Sequence, residues 1–495
     1  MILKTGRLLI LYLCAFSAVH AEENHWFSEG RAAVERAKEL APITSKAKNI
    51  ILFIGDGMGV TTVTAARILD GQRRGQPGEE NLLSFEQLPY TALIKTYNTD
   101  AQVADSAGTM TAIVTGVKTR VGVLSLAENA SRGDPNSVKG NEVNTIVELA
   151  ERAGLSTGIV TTTRVTHATP AACYAHSADR DWEDDSDLPA SAREIGVRDI
   201  ARQLLEFPFG DGIDVVLGGG RANFLPRTVN DAEYPDKTGR RTDGRDLVVE
   251  WLKKPHTAYV TDKPAFDALE TTQTRRLLGL FEPSHMRYEH DRKDDKAREP
   301  SLSEMTTKAI ALLEKNPRGF FLMVEGGRID HAHHETNAFR ALTETIEFAR
   351  AVDIAVQKTR RQETLIIVTA DHSHVFTMAG YPSRGNPILG KVDDCEAKGQ
   401  LARDEKGLPY TTLGYANGPG YLGANGRPDL SSVLTEHPDY KQETTVPLKD
   451  ETHGGEDVPL YADGPHAHLF RGVMEQNVIF HIMAAALGLS PTPSP

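Results

Sequence analysis

The chain has 495 residues, of which 40% are hydrophobic and 25% charged, and this composition is typical of a soluble globular protein with one large or two ordinary domains. Its formal net charge of −13 gives the surface no general affinity for nucleic acid or anionic membranes. An acidic protein that binds phosphate compounds needs metal ions or a local arginine to overcome its own field.

The first 21 residues have the pattern of a secretory signal peptide. Lys4 and Arg7 give a positive start, residues 8–19 are apolar, and Val19-His20-Ala21 ends in a small residue. No later run reaches the roughly 18 apolar residues of a membrane span, and the polar, proline-rich end of the chain lacks a lipid-anchor signal. We therefore predict a secreted or periplasmic protein without a membrane anchor, and residues 22–495 as its mature domain.

Three further features leave alternatives open. Cys173 and Cys395 remain after the signal peptide, and an exported protein permits a disulfide between them without requiring one. Residues 27–41 predict a polar helix that lies either on the surface or on a partner subunit. Asn129 begins an Asn-Ala-Ser glycosylation sequon, and its modification is undecided.

Strands alternate with helices along most of the chain. Residues 48–54 are apolar without alternation, as in a strand buried on both faces, and a helical pattern follows through Leu69. The pattern continues with a helix at 142–153, strands at 156–163, 213–217, 320–324, 364–370 and 467–470, and helical sequence from the turn after Glu325 through Arg350. This order predicts an α/β fold with a large, mostly parallel central sheet and helices on both faces.

One segment interrupts this alternation. Residues 380–435 are rich in glycine, proline, asparagine and aspartate. So long a stretch is unusual for a loop in a compact domain. We predict that it forms a small inserted, crown-like subdomain.

Acidic residues stand at the ends of three predicted strands: Asp56, Glu325 and Asp371. Open α/β sheets place their chemistry at the carboxyl ends of parallel strands, so we expect these carboxylates to meet. The glycines around Asp56 do not have the dinucleotide-binding spacing. Asp56, between small residues, could contact two cations, one through each oxygen.

Histidines accompany these acids. Asp330 and His334 are four residues apart, and a helix would place them on one face about 6 Å apart. By spacing alone, His333 is an equally good partner for Asp330. With His372 and His453 added, the residues divide into ligands suited to zinc (Asp330, His334 and His453; Asp56, Asp371 and His372) and to magnesium (Asp56 and Glu325).

Ser106 is the candidate nucleophile. Asp105-Ser106-Ala107 reads as a loop entering a short helix, where unpaired N–H groups and the helix dipole favour anions. The simpler alternative is a serine that only caps the helix. A nearby metal ion would favour the nucleophile, because it can hold the hydroxyl as an alkoxide.

Six segments together carry a more specific signal: Gly55-Asp-Gly-Met-Gly59, Asp105-Ser106-Ala107, Thr161-Thr-Thr-Arg-Val-Thr-His-Ala-Thr-Pro170, Glu325-Gly-Gly-Arg-Ile-Asp-His-Ala-His-His334, Thr369-Ala-Asp-His-Ser-His374 and Thr452-His453. In this order they resemble the alkaline phosphatase family, most closely its animal-type branch. The resemblance extends from about Trp26 to about Leu487, nearly the whole mature chain.

The resemblance implies a zinc- and magnesium-dependent phosphate monoester hydrolase with a phosphoserine intermediate. It matches Ser106 to the phosphorylated serine and Arg180 to the arginine that binds the phosphate. It assigns two Zn²⁺ to the two ligand sets above, selects His334 over His333, and gives one Mg²⁺ to Asp56, Thr169 and Glu325. His167 would lie near the magnesium, and His331, His333 and His374 would lie outside the ligand set.

The resemblance also implies a Ca²⁺ site and a homodimer. The calcium ligands would be Glu233, the carbonyl of Phe281, Glu282 and Glu299. Residues 288–298 form a longer segment than in relatives, and Asp294 or Asp295 is an alternative to Glu299. The N-terminal helix and the inserted subdomain, including Tyr381, would lie at the dimer interface.

Two other functions compete with this prediction. A related metalloenzyme could cleave phosphodiesters or sulfate esters with the same metal frame, but such relatives commonly carry threonine or a modified cysteine as nucleophile. A non-catalytic exported protein could bind phosphate or metal ions, but it would need neither a nucleophilic serine nor an aspartate shared by two cations. Ser106, Arg180 and Glu325 favour hydrolysis of phosphate monoesters, with inorganic phosphate as the product.

Overall fold

The computed structural model describes residues 24–397, 399–421, 423 and 426–490. The predicted signal peptide, residues 1–21, lies outside them. The described chain divides at Ala41 into two compact units. The first contains helix α1 (His25–Glu39), close to the predicted 27–41, and the side chain of Asn24 accepts a hydrogen bond from the Phe27 amide at its start (3.3 Å).

The second unit, residues 42–495, contains the remaining helices and the strands of the described residues. Its helices are α2 (Val60–Arg73), α3 (Ser106–Thr115), α4 (Ile146–Arg152), α5 (Ala168–Ala171), α6 (Ala190–Glu194), α7 (Ile200–Leu205), α8 (Leu247–Trp251), α9 (Lys263–Ala268), α10 (Leu302–Leu313), α11 (Arg328–His334), α12 (Ala338–Lys358) and α13 (Val478–Leu487). Its strands are β1 (Asn49–Gly55), β2 (Tyr90–Lys95), β3 (Ser156–Arg164), β4 (Val215–Gly219), β5 (Thr257–Val260), β6 (Arg276–Leu280), β7 (Phe320–Gly326), β8 (Thr364–Thr369), β9 (Ser373–His374), β10 (Phe376–Met378), β11 (Leu413–Gly418), β12 (Thr444–Pro447), β13 (His453–Gly454), β14 (Val458–Asp463) and β15 (Gly472–Glu475).

In the described part of the chain, the main sheet has ten strands in the order β15-β2-β14-β8-β1-β7-β3-β4-β6-β5. Every pair from β8 to β5 is parallel, and only β14 runs antiparallel to its neighbours. Strands β1, β7 and β8 are buried along their whole length because helices cover them. Helix α12 packs with α2 and α10, and α13 packs with α3 and α4. The predicted mostly parallel α/β fold is confirmed.

Several predicted boundaries differ from the structure. The strand predicted at 467–470 is wrong: Ala467–Leu469 forms a short 3₁₀ helix after His466, whose φ is +64°. The predicted helix at 142–153 begins only at Ile146, because Thr145 caps it by accepting a hydrogen bond from the Glu148 amide (3.1 Å). The helical sequence up to Arg350 is divided into α11 and α12 by a turn at Thr336, where φ is +55°.

The segment 380–435 contains β11 and several isolated bridges, and it has no helix among its described residues. Strand β11 joins β10 and β12 in a separate three-stranded sheet. That this segment forms an independent subdomain stays a prediction. Cys173 and Cys395 are both free thiols. None of the described helices has the length and apolar character that a membrane-spanning helix requires.

Candidate active site

The carboxyl ends of three central strands bring the predicted acids together. Ile54 of β1 pairs with Glu325 of β7 on one side and with Thr369 of β8 on the other. Asp56 lies two residues after Ile54, and Asp371 lies two residues after Thr369. Both aspartates are completely buried. Because adjacent parallel strands share one register, residues far apart in sequence meet at one edge of the sheet.

The first cluster contains Asp330, His334 and His453. Asp330 Oδ1 lies 3.2 Å from His334 Nε2 and 3.4 Å from His453 Nε2, and the two Nε2 atoms are 3.2 Å apart. Ligands placed 2.0–2.1 Å from a zinc ion in a tetrahedron are about 3.3 Å from one another. The three atoms therefore have the spacing of a zinc ligand set.

A short two-stranded ladder brings His453 into this cluster. His453 of β13 pairs with His374 of β9. The His453 ring also stacks on that of His372 with centroids 3.6 Å apart. The first cluster is therefore adjacent to a second one, to which His372 belongs.

The second cluster contains Asp56, Asp371 and His372. His372 Nε2 lies 3.3 Å from Asp56 Oδ1 and 3.5 Å from Asp371 Oδ2. The other oxygen of Asp371 accepts a hydrogen bond from the Gly57 amide (3.1 Å). Both oxygens of Asp56, and Oδ2 of Asp371, are buried without a hydrogen-bond partner. Such unpartnered buried carboxylate oxygens are costly without a cation, so the residues present fit a metal ion.

A third group lies beside Asp56. One oxygen each of Asp56 and Glu325 and a ring nitrogen of His167 lie within 4.8 Å of one another. Glu325 Oε2 accepts hydrogen bonds from Thr161 and from Thr163 (3.2 Å), while Glu325 Oε1 and the hydroxyl of Thr169 are buried without a partner. These oxygen donors fit the preference of Mg²⁺ for oxygen ligands.

Burial and neighbouring charges shift the pKa values of these acids. Burial, followed by the neighbouring charge of Asp371, raises the pKa of Asp56 well above its ordinary value. Burial raises the pKa of Glu325 to about 7. Buried like charges of this kind are stabilised when cations bind between them, and strongly perturbed acids in a cleft mark a functional site.

Ser106 faces the second cluster from the first turn of α3. It is buried, and its Oγ lies 3.2 Å from His372 Nε2. Asp105 caps α3 by accepting a hydrogen bond from the Gly108 amide (3.1 Å), so Asp105 rather than Ser106 is the N-cap residue. The alternative that Ser106 is only a helix cap therefore does not describe this position.

Arg180 reaches the same place from a loop. Its Nη1 donates to Asp105 Oδ2 at 3.1 Å, and its Nη2 lies 3.2 Å from His167 Nε2. A guanidinium oriented in this way beside a nucleophile can bind two oxygens of a phosphate group.

One surrounding residue, Glu451, was not predicted from the sequence. Glu451 contacts His374 Nδ1 with its carboxylate (2.5 Å), and His374 Nε2 lies 2.9 Å from Asp330 Oδ1. Glu451 therefore orients an aspartate of the first cluster through His374. Glu451 lies two residues before His453 in the sequence, which could have marked it as part of the site. That position did not indicate that its partner is His374.

His333 and His331 point away from the first cluster. His333 is buried, with Nε2 3.0 Å from the Thr62 hydroxyl and Nδ1 2.8 Å from the Tyr415 hydroxyl. His331 Nδ1 lies 2.9 Å from an Arg328 nitrogen. Among the described residues, neither histidine belongs to a group of potential metal ligands, and their exclusion from the ligand set stays a prediction.

A separate acidic cluster lies at the predicted calcium site. One oxygen each of Glu233, Glu282 and Asp295 lies within 4.8 Å of the others, and both oxygens of Asp295 are buried without a hydrogen-bond partner. Glu299 is not part of this group, and both of its oxygens accept from the Arg287 amide (3.1 Å). Phe281 is buried directly before Glu282. Asp295, one of the two alternatives to Glu299, is thus the acid that the fold brings to this site.

Comparison with known proteins identifies the family. A family model described as alkaline phosphatase matches residues 47–489. The chain is 49% identical over 496 residues to the tissue-nonspecific alkaline phosphatase of Gallus gallus, covering 98% of this chain and 93% of that protein. It is 48% identical to an alkaline phosphatase of Gadus morhua, covering 95% and 98% of the two chains.

Among solved structures, the alkaline phosphatase of Thermus thermophilus is similar, with a TM-score of 0.65, 25% identity, and coverage of 93% of this chain and 95% of that one. The similarity extends over the whole sheet and over the segments that supply both metal-like clusters. The chain therefore belongs to the alkaline phosphatase family.

Proposed function

We propose that this chain hydrolyses phosphate monoesters through a phosphoserine intermediate on Ser106. The observation that carries the proposal is the position of the Ser106 hydroxyl, 3.2 Å from His372 Nε2 at the border of a cluster of unpartnered carboxylates. Membership of the alkaline phosphatase family supports the same reaction. No other described serine has both features.

The side chains divide into ligands for three cations. Asp330, His334 and His453 would hold one Zn²⁺, Asp56, Asp371 and His372 a second, and Asp56, Thr169 and Glu325 one Mg²⁺. When bound, such ions neutralise phosphate charge, lower the pKa of a coordinated hydroxyl and act as Lewis acids. His374 and Glu451 would orient the first ligand set.

The remaining residues bind and align the substrate. Arg180 donates hydrogen bonds to two phosphate oxygens, and Asp105 keeps its guanidinium in place. The Ser106 hydroxyl gives up its proton to solvent as its oxygen attacks phosphorus. The bond to the leaving oxygen breaks, and that oxygen takes up a proton to leave as the alcohol. Water then attacks the phosphoserine, which releases inorganic phosphate and restores the serine hydroxyl. Alignment and charge neutralisation contribute most in such transfers.

The test is to trap the phosphoenzyme at acid pH with labelled phosphate. Wild-type protein should carry label and Ser106→Ala should carry none, whereas Ser131→Ala, which removes an exposed serine hydroxyl, should label normally. Label that persists in Ser106→Ala would exclude this serine as the nucleophile.

The competing functions are tested with substrates and chelators. A monoesterase should hydrolyse p-nitrophenyl phosphate much faster than the matching phosphodiester or sulfate ester. A binding protein would turn over none of them. Turnover that disappears on chelation and returns with zinc would exclude the non-catalytic alternative.

We also propose a Ca²⁺ site formed by Glu233, Glu282, Asp295 and the carbonyl of Phe281. Three clustered carboxylates suit a hard cation that takes oxygen ligands. Burial, followed by the charge of Glu282, raises the pKa of Glu233 to about 7, and a divalent ion would relieve this repulsion. Glu299 would then support the site from outside through the Arg287 amide.

Export and dimerisation complete the proposal. The pattern of residues 1–21 supports a secreted or periplasmic protein, and the family resemblance supports a homodimer with α1 and Tyr381 at its interface. Light scattering of the purified protein measures its mass directly. A mass of one chain would contradict the dimer.

A further inference from the structure

A cleft of about 370 Å³, here called the outer cleft, opens beside the candidate active site. Its wall includes basic and aromatic side chains together with two acids: Tyr234, Lys237, Glu282, His285, Arg287, Tyr288, Asp291 and Arg328. Contacts between rings connect it to the site. His285 packs against His331 and His167, with centroids 4.2 and 5.3 Å away, and His167 contacts Arg180.

Two cations of the outer cleft lack an acidic partner. The guanidinium of Arg328 lies 3.8 Å from the centroid of the Tyr288 ring, and its Nε is buried without a hydrogen-bond partner. Lys237 Nζ lies 4.0 Å from the centroid of the Tyr234 ring. Among the described residues, neither cation forms an ion pair with a carboxylate. Both cations lie against ring faces, and Arg328 also contacts His331 Nδ1 (2.9 Å), which is not a carboxylate.

The acids of the outer cleft are already bonded to other groups. Glu282 Oε1 accepts from the Tyr234 hydroxyl (2.9 Å) and from Arg287 Nε (3.2 Å). Asp291 is paired with Arg340, which lies outside the cleft wall (2.9 Å). Lys237 and Arg328 therefore remain without a carboxylate at ion-pair distance among the described residues, next to the acidic cluster that includes Glu282, in a chain whose net charge is −13. Unpaired cations beside a phosphate site in an acidic protein attract anions to that site.

We propose that the outer cleft binds a second anionic group, a phosphate or carboxylate, carried by the leaving group of the substrate. Lys237 and Arg328 are then specificity-determining residues, because they contact only substrates that bear this second charge. The inference rests on the proposed phosphatase function. It concerns which monoesters are preferred and not how the phosphorus–oxygen bond is cleaved.

The experiment compares two series of substrates with purified, metal-loaded enzyme. One series contains alkyl monophosphates, and the other contains alkanediol bisphosphates of the same chain lengths. At the length that spans the two sites, wild-type kcat/KM for the bisphosphate should exceed that for the monophosphate at least tenfold. Raising the salt concentration should reduce this preference, since it arises from charge.

Two variants assign the preference to the outer cleft. Lys237→Met and Arg328→Gln should each reduce the bisphosphate preference several-fold and leave kcat/KM for monophosphates within about twofold. Arg471→Gln, which removes an exposed arginine outside the cleft, should keep the wild-type preference. Lys237 is exposed, so its variant is informative even if Arg328→Gln folds poorly.

Either of two results would overturn the inference. One is a wild-type enzyme that treats the two series alike at every length. The other is an equal loss of activity toward both series in Lys237→Met, which would make this lysine a general contributor to activity. If wild-type enzyme hydrolysed neither series, the proposed phosphatase function itself would be wrong. Turnover of monophosphates without a preference for bisphosphates would instead contradict only the role proposed for the outer cleft.

Discussion

Asp105 Oδ2 accepts a hydrogen bond from Arg180 at 3.1 Å, while Oδ1 of the same carboxylate accepts one from the Gly108 amide at 3.1 Å. One side chain therefore caps the helix that carries Ser106 and also fixes the guanidinium expected to bind phosphate. The Gly122 amide donates to Oδ2 as well (3.0 Å). Nucleophile and phosphate-binding residue thus share a support, which keeps their spacing constant.

Replacing Arg180 with alanine should weaken binding of inorganic phosphate by about 2 kcal/mol, because a charge-assisted, two-pronged contact is lost. The inhibition constant of phosphate measures this change. Arg180→Lys keeps the charge but lacks the planar, two-pronged guanidinium. Its affinity for phosphate should therefore lie between those of Arg180→Ala and wild type. Equal phosphate affinity in Arg180→Ala would remove this residue from the site.

Glu325→Gln should lower the magnesium content of the purified protein and leave its zinc content unchanged. Glu325 belongs to the oxygen-rich third group, whereas the two zinc-like clusters are formed by other side chains. Elemental analysis by mass spectrometry after gel filtration measures both metals. Glu314→Gln, which changes an exposed glutamate, is the control. Parallel loss of zinc would show that the third group is not a separate site.

The calcium proposal distinguishes two acids. Asp295→Asn should abolish the rise in melting temperature that Ca²⁺ produces, because ligand binding to the folded state is the source of that rise. Glu299→Gln should retain most of it, since the side-chain oxygen of glutamine can still accept from the Arg287 amide. Thermal unfolding with and without Ca²⁺ measures both. The reverse result would restore Glu299 as the ligand.

Gly57 adopts φ +68°, and a Cβ there would lie 2.3 Å from His374 Nε2. Gly57→Ala should displace His374, which contacts Asp330, and reduce kcat/KM about 100-fold, as small displacements at catalytic groups do. Gly75→Ala is the matched control, because Gly75 has φ +76° but nothing within 4 Å of its added Cβ. A similar loss in both variants would attribute the effect to backbone strain alone.

Glu151 is expected to make the free energy of unfolding depend on pH. It is buried, and burial raises its pKa from 4.5 to about 8. Between these values the folded protein holds a proton that the unfolded chain releases, so the free energy of unfolding falls as pH rises. Glu151→Gln keeps an acceptor for the Thr157 hydroxyl (2.6 Å) and removes this ionisation.

The variant should therefore be about 1–3 kcal/mol more stable than wild type at pH 9 and nearly equal to it at pH 5. Denaturant unfolding at the two pH values measures the difference. Glu405→Gln, at an exposed position, should match wild type at both. Identical pH profiles for wild type and Glu151→Gln would contradict the argument.

The sequence by itself determined the fold class and the chemical types in the site. The uninterrupted apolar strands before Asp56, Glu325 and Asp371 predict buried parallel strands, and parallel strands align their carboxyl ends. Local rules also placed Ser106 at a helix start. These inferences depend only on neighbours along the chain.

Tertiary structure decided which distant groups meet. The ladder between β13 and β9 brings His453 to His374, and no spacing in sequence encodes that pairing. The orientation of His333 toward Thr62 and Tyr415, and the choice of Asp295 instead of Glu299 at the acidic cluster, depend on packing between separate segments. The position of an unpaired cation such as Lys237 likewise depends on which acids the fold has already bonded elsewhere. Side-chain direction is set by three-dimensional neighbours, and a sequence lists only covalent ones.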